Sequence, residues 1–287
     1  MLRPSGFDRA AAAFDGGAMK AFRLFVGASM VLSLVAFGAG PAQASDGQES
    51  SDATCTGTPT APGVLSGTYS DDVVVKGICF VNGGAAVVNG DLTLSPGSAL
   101  NATFALNDVA GKGLSSLTVK GDLHVGKGAI LGMGCEPGFS PCHDDPAAAN
   151  NGNGALTGMN EVDGDLTSHQ ALAVIVHASK IGGDVTHNGG GGGVNCAVPT
   201  SGPFAKMMSP VFSDYEDNTI GGDLTVTKLQ SCYFGALRNQ VAGDVVYRHN
   251  TLFDPDASEV LANVIQGDIS CAHNSPAVQF GDSMSTS

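Results

Sequence analysis

The chain has 287 residues, a formal net charge of −14 and no tryptophan. So acidic a chain has no basic surface for a phosphate backbone, which excludes nucleic acid as a partner, and bulk charge equally excludes anionic lipid and acidic polysaccharide.

At the N-terminus, Lys20 and Arg23 precede the apolar run Leu24 to Phe37, and Ala42-Gln43-Ala44 is an A-x-A cleavage site. This is the pattern of a secretory signal over residues 1–44, with the mature chain starting near Ser45. Met19 is a candidate initiator, because a compact signal begins there. The apolar run is too short, and too promptly followed by glycine and proline, to be a permanent anchor. Removing residues 1–44 takes four basic and two acidic residues away and leaves 9 and 25. The expected product is secreted, extracellular and acidic, with no membrane anchor.

Residues 45–70 read as an N-terminal cap and lead-in. From residue 71 a Val-x-Gly-Asp-Leu segment recurs with small variations. Its aspartates are Asp91, Asp122, Asp165, Asp184, Asp223, Asp244 and Asp268, each preceded by glycine, and their spacings are 31, 43, 19, 39, 21 and 24 residues. Apolar residues alternate around each pair, as in Val119, Leu123 and Val125, which signals strands. A motif repeating on this scale predicts an all-β solenoid, a right-handed parallel β-helix over 71–287. The short spacings suit one turn. The long ones suit two turns, or one turn with a looped insertion. Insertions are expected near 133–156, which holds Asn150-Asn151-Gly152-Asn153-Gly154, and near 188–216, which holds Gly189 to Gly193. Such loops would carry any specificity. With aromatic residues scarce, Val, Ile, Leu and Ala are expected to fill the lumen.

The recurrent glycine implies positive φ or a close approach between coils. The aspartate beside it suits acceptance of backbone N–H bonds in the corner. Asn160, Asn218, Asn239 and Asn263 stand five residues before their aspartates, with Ser179 in the same place, and predict a structural amide ladder. Asn250 and Asn274 predict a second. The rival to a purely structural aspartate column is a stripe of cation ligands along Asp165, Asp184, Asp223, Asp244 and Asp268, where stacked carboxylates would otherwise repel. Against it, the repeat lacks the Gly/Asp-dense nonapeptide of a calcium roll.

Export makes disulfides the expected state of the cysteines. Cys55 with Cys79 would clip the lead-in to the first coil, Cys135 with Cys142 would close a small loop, and Cys196 with Cys232 would tie down the glycine-rich insertion. Cys271 is left over. No CxxC or His-x₃-His spacing supports metal binding by the cysteines.

The run Gly67-Thr68-Tyr69-Ser70-Asp71-Asp72-Val73-Val74-Val75-Lys76-Gly77-Ile78-Cys79 resembles the opening of a family of exported, uncharacterised bacterial right-handed parallel β-helix proteins. Their opening reads GTYDNVVVPxGxxC and is followed by GxVxG[ND]V turns. Arg238-Asn239, Asp254-Pro255-Asp256 and Pro276 to Ser283 are similar to later parts of the same family. The resemblance spans roughly 54 to 283 and implies that fold, with no established activity. Family members continue past this point to another turn and a final cysteine, so stopping at Ser287 implies a truncated gene or a free Cys271.

Parallel β-helices that act on polysaccharides carry carboxylates or a base on one outward face. His143-Asp144-Asp145 and Arg248-His249-Asn250 are the candidates here. The first reads better as a loop turn and the second as a coil corner. His187, His249 and His273 each precede an asparagine and read as one repeated feature. Thr93, Thr167, Thr186 and Thr225 stand two after their aspartates and would line one face with hydroxyls, although threonine is also simply a good strand residue. No hydrolase elbow, zinc-protease helix or P-loop occurs, and no cofactor is expected. The expected role is a non-enzymatic exported structural or surface-interaction protein. The alternative is a polysaccharide-active or polysaccharide-binding β-helix, with an extracellular glycan or cell-surface component as partner.

Overall fold

The computed structural model describes residues 52–103, 105–106, 114–135, 160–281 and 284–285. Nearly all its regular structure is strand, and the strands pair in parallel, except that Ala105–Leu106 and Leu114–Ser115 are antiparallel. Residues 199–209 belong to a separate compact unit. That segment holds the helix Gly202–Met207, which has a proline in its first turn and is closed by Met208 in the left-handed conformation.

The main unit is a parallel β-solenoid whose coils have three strand faces. Face 1 is a nine-stranded sheet running from Ala53–Cys55 through Val73–Val75, Leu92–Leu94, Leu123–Val125, Leu166–His169, Val185–Asn188, Leu224–Thr227 and Val245–Arg248 to Ile269–Ala272. Faces 2 and 3 are two arms of a 15-stranded sheet. Face 2 contains Ala99–Thr103, Ile130–Gly134, Ala173–His177, Phe212–Glu216, Tyr233–Leu237 and Ser258–Leu261. Face 3 contains Leu117–Val119, Glu161–Val162, Lys180–Ile181, Thr219–Ile220, Gln240–Val241 and Val264–Ile265. The long strand Ile78–Val88 joins the arms, pairing with face 2 at its start and with face 3 at its end.

Each interval between successive Gly-Asp corners is therefore one coil, whether it holds 19 residues or 43. In the 43-residue interval the described chain reaches Cys135 just after face 2 and is in face 3 at Glu161. The 39-residue interval runs from face 1 at Val185–Asn188 to face 2 at Phe212. Phe212–Glu216, expected to be insertion, is a face 2 strand. Its alternation was obscured because Asp214 and Glu216 are polar residues facing away from the lumen. At the other end, Ala53–Cys55 and Gly63–Tyr69 within the presumed lead-in already pair with the coil that follows.

Register stacks like on like. Val73, Leu92, Leu123, Leu166, Val185, Leu224 and Val245 form one buried column of face 1. Each such side chain contributes about 1.5–3 kcal/mol by leaving water. The parallel inner column reads Val75, Leu94, Val125, Ser168, His187, Val226, Tyr247 and Cys271, so two polar residues interrupt it. The lumen is also less aliphatic than expected. Tyr215, Phe234 and Tyr247 are fully buried, with Phe234 stacked on Tyr247 at 5.0 Å between ring centroids. Small inward residues make the room: Ser213, Ser231, Ala236, Ala257 and Ser258 are all buried in the same coils.

Candidate functional site

The recurrent residues hold coil to coil. At each Gly-Asp corner the aspartate Oδ1 accepts the backbone N–H of the aspartate on the next coil, at 2.7–2.8 Å throughout. The ladder begins at Asp72, one coil before the first Gly-Asp pair. Asp72 lacks the Gly-Asp signature because Asp71, and not glycine, precedes it. The glycines are required by proximity: a Cβ on Gly222 would lie 1.9 Å from Asp184 Oδ1, and those on Gly121 and Gly243 would lie 2.1 Å from the aspartate below. Of the five aspartates considered as cation ligands, Asp165, Asp184, Asp223 and Asp244 thus each commit one oxygen to a neighbouring N–H.

The amides form ladders as well. Asn218 Oδ1 accepts the N–H of Ser179, Asn239 Oδ1 that of Asn218, and Asn263 Oδ1 that of Asn239. Their Nδ2 groups donate to Val176, Tyr215 and Ala236 carbonyls. Asn160 does the same between Leu117 N–H and Ala102 O. Asn250 and Asn274 build the second ladder at the corner between faces 1 and 2. Buried amides are costly unless paired, and these are paired.

Positive φ occurs at the other two corners, mostly on residues with side chains. Gln170, Lys228, His249 and His273 occupy it between faces 1 and 2; Ala178, Asp217, Arg238 and Ala262 occupy it between faces 2 and 3. Each such residue costs about 1–2 kcal/mol relative to a right-handed one, offset by the ladder amide that immediately follows most of them. The three histidines expected to be alike are not. His249 and His273 lie five residues after their aspartates, at corners, with rings stacked at 4.6 Å. His187 lies three after Asp184 and points into the lumen. There it is fully buried, burial lowers its pKa to about 4, and Nδ1 meets Tyr215 Oη at 3.2 Å. Its Nε2 and the neighbouring Ser168 Oγ have no hydrogen-bond partner among the described residues.

The threonine row lies on the outside of face 1, in register with His124, Val246 and Ser270. His124 Nδ1 is 2.7 Å from Thr167 Oγ1, and a shallow groove runs past Thr93, Ser95, His124, Thr167 and His169. His143, Asp144 and Asp145 lie outside the described residues.

Face 2 carries a polar cluster on its outer side that no motif announced. His177 pairs across strands with Glu216, and Asp214 stands two residues before Glu216 on the same side. His177 Nε2 is 2.8 Å from Asp214 Oδ1. Arg238 donates to Glu216 Oε2 and to both oxygens of Asp217, each at 2.8 Å. The Asp217 bond is the main reason its guanidinium is held more basic than usual, against the effect of its partial burial. Asp214, Gly235 and Glu259 occupy one row on successive coils. The Tyr233 hydroxyl donates to Glu259 Oε2. Loss of solvent raises the Glu259 carboxyl above its usual range, with that hydrogen bond acting in the opposite sense.

Cys55 is bonded to Cys79 and Cys196 to Cys232. Cys135 is disulfide-bonded too; Cys142, the partner expected for it, lies outside the described residues. Cys271 is a free thiol in the inner column. Burial raises its pKa to about 11, with Arg248 pulling the other way. Since only the thiolate reacts, native protein should label with a thiol reagent at one slow site near about pH 8 and accelerate as pH approaches 11. Several fast thiols in that assay would contradict the pairing. No helix among the described residues is long and apolar enough to cross a membrane.

Comparison of the chain with protein-family models, curated proteins and solved structures yields no match.

Proposed function

We propose that the chain is an exported, non-enzymatic structural or surface-interaction protein that meets an extracellular glycan or cell-surface component. One observation carries this reading. The residues that recur from coil to coil, the Gly-Asp corners and the ladder asparagines, spend their polar atoms on bonds between coils. The repeat is therefore scaffold, and individuality lies in the outward rows and inserted segments. Export is supported by the disulfides and by the secretory pattern over residues 1–44, which lie outside the described residues. The likeness of the Gly67–Cys79 opening to exported β-helix proteins points the same way.

A second reading, a polysaccharide-active solenoid, is favoured by the row Asp214, Gly235, Glu259. It sets two carboxyls on either side of a residue without a side chain, one of them with the raised pKa that suits a general acid. Expression in an exporting bacterial host should yield a chain starting near Ser45; an unprocessed cytosolic chain would contradict export. On that product, glycan-array binding without turnover supports the scaffold. Cleavage of a polysaccharide that is lost in Glu259→Gln and Asp214→Asn supports the second reading.

A further inference from the structure

His177, Asp214 and Glu216 bring one imidazole nitrogen and two carboxylate oxygens to within 4.8 Å of one another on the outside of face 2. Their side chains are only 10%, 7% and 14% exposed, although they face away from the lumen. Strand register makes the convergence obligatory. Residues two apart share a face, so Asp214 and Glu216 lie side by side, and pairing puts His177 next to Glu216. Two carboxylates so placed repel. Arg238 relieves this at Glu216 Oε2 and His177 at Asp214 Oδ1. In the same rows His177 is flanked by Gly134, and Asp214 by Ile175 and Gly235, with the Tyr233 hydroxyl over Gly235, so no further carboxylate or imidazole stands directly beside the pair.

We propose that His177, Asp214 and Glu216 bind a divalent transition-metal ion, with Zn²⁺ the best match. An imidazole among carboxylates suits Zn²⁺ better than Ca²⁺ or Mg²⁺, which prefer all-oxygen shells. Ligands at about 2.0–2.1 Å from a tetrahedral ion stand roughly 3.3 Å apart. The His177–Asp214 edge, 2.8 Å, is already near that length. Bringing Glu216 in from within 4.8 Å takes a side-chain shift of at most about 1.5 Å. On binding, the proton held between His177 Nε2 and Asp214 Oδ1 passes to solvent and the nitrogen's lone pair binds the metal. Glu216 contributes a carboxylate oxygen, and Arg238 keeps its bonds to Asp217. No oxidation state changes.

The test is calorimetric titration of Zn²⁺ into chelator-treated, untagged mature protein, repeated in two buffers of different ionisation enthalpy. One ion per chain with proton release is expected. His177→Ala and Asp214→Asn should each weaken binding by about 100-fold or more, and Glu216→Gln should weaken it less. The His249→Ala/His273→Ala double variant should bind as wild type. Should a variant fold poorly, Co²⁺ added to the wild-type chain gives a separate readout, a ligand-field spectrum of a nitrogen-containing tetrahedral site. Failure of wild type to bind either ion overturns the proposal. So does binding unaffected by His177→Ala, or binding abolished by the His249/His273 pair.

Discussion

Gly222→Ala is expected to destabilise the solenoid by about 3 kcal/mol or more, far beyond an ordinary surface glycine substitution. The new methyl would sit 1.9 Å from Asp184 Oδ1. Relief requires moving either that carboxylate, which holds Asp223 N–H, or the coil itself. Asp184→Ala alone should cost only about 1 kcal/mol, one exposed hydrogen bond. Once the carboxylate is gone, the nearest atom left for the Gly222 methyl is the Asp184 backbone nitrogen at 3.1 Å. The double variant should therefore be scarcely less stable than Asp184→Ala. Urea midpoints of the four proteins, disulfides intact, measure the coupling. Additive costs would mean that the glycine is not there to make room for the carboxylate.

Lowering the pH from about 6.5 to about 4 should remove about 3 kcal/mol of stability through His187 alone. The sign follows from burial. The native imidazole resists protonation until about 4, with a backbone contact at Gly189 pulling weakly upward, whereas the unfolded chain takes up the proton at about 6.5. The contribution is complete above 6.5, is lost progressively as pH falls from there to about 4, and no more is lost below that. Carboxylates titrate in the same range, so the informative quantity is the difference between wild type and His187→Val, valine being the residue its column carries at Val75, Val125 and Val226. Wild type should lose stability more steeply over this interval. Parallel curves would mean that water reaches the ring.

The coil boundaries were legible because a backbone approach this close admits only glycine, and the aspartate has to sit beside it. Each corner thus left the same two letters. The strained corners were not, because Lys228, Arg238 and His249 adopt the left-handed conformation with ordinary side chains, held by ladder amides that only the fold supplies. His187 misled because a His-Asn pair looks alike at a corner and in a strand; counting from Asp184 separates the two. The face 2 cluster was out of reach. His177 and Asp214 stand 37 residues apart across an insertion, so their adjacency exists only once that insertion is known to occupy a single turn.

That turns keep their stacking whether they hold 19 or 43 residues makes the winding a spool with fixed notches. Length added where the chain passes from face 2 to face 3 leaves the next notch where it was, since Glu161 and Val162 still pair with Thr118 and Val119 after the 43-residue interval. A passenger peptide spliced between His177 and Ala178, ahead of Ser179 and its ladder bond to Asn218, in the 19-residue turn, would be displayed beside coils that keep their stacking. Several could be lined up one turn apart, a regular array of epitopes built without designing a single new contact.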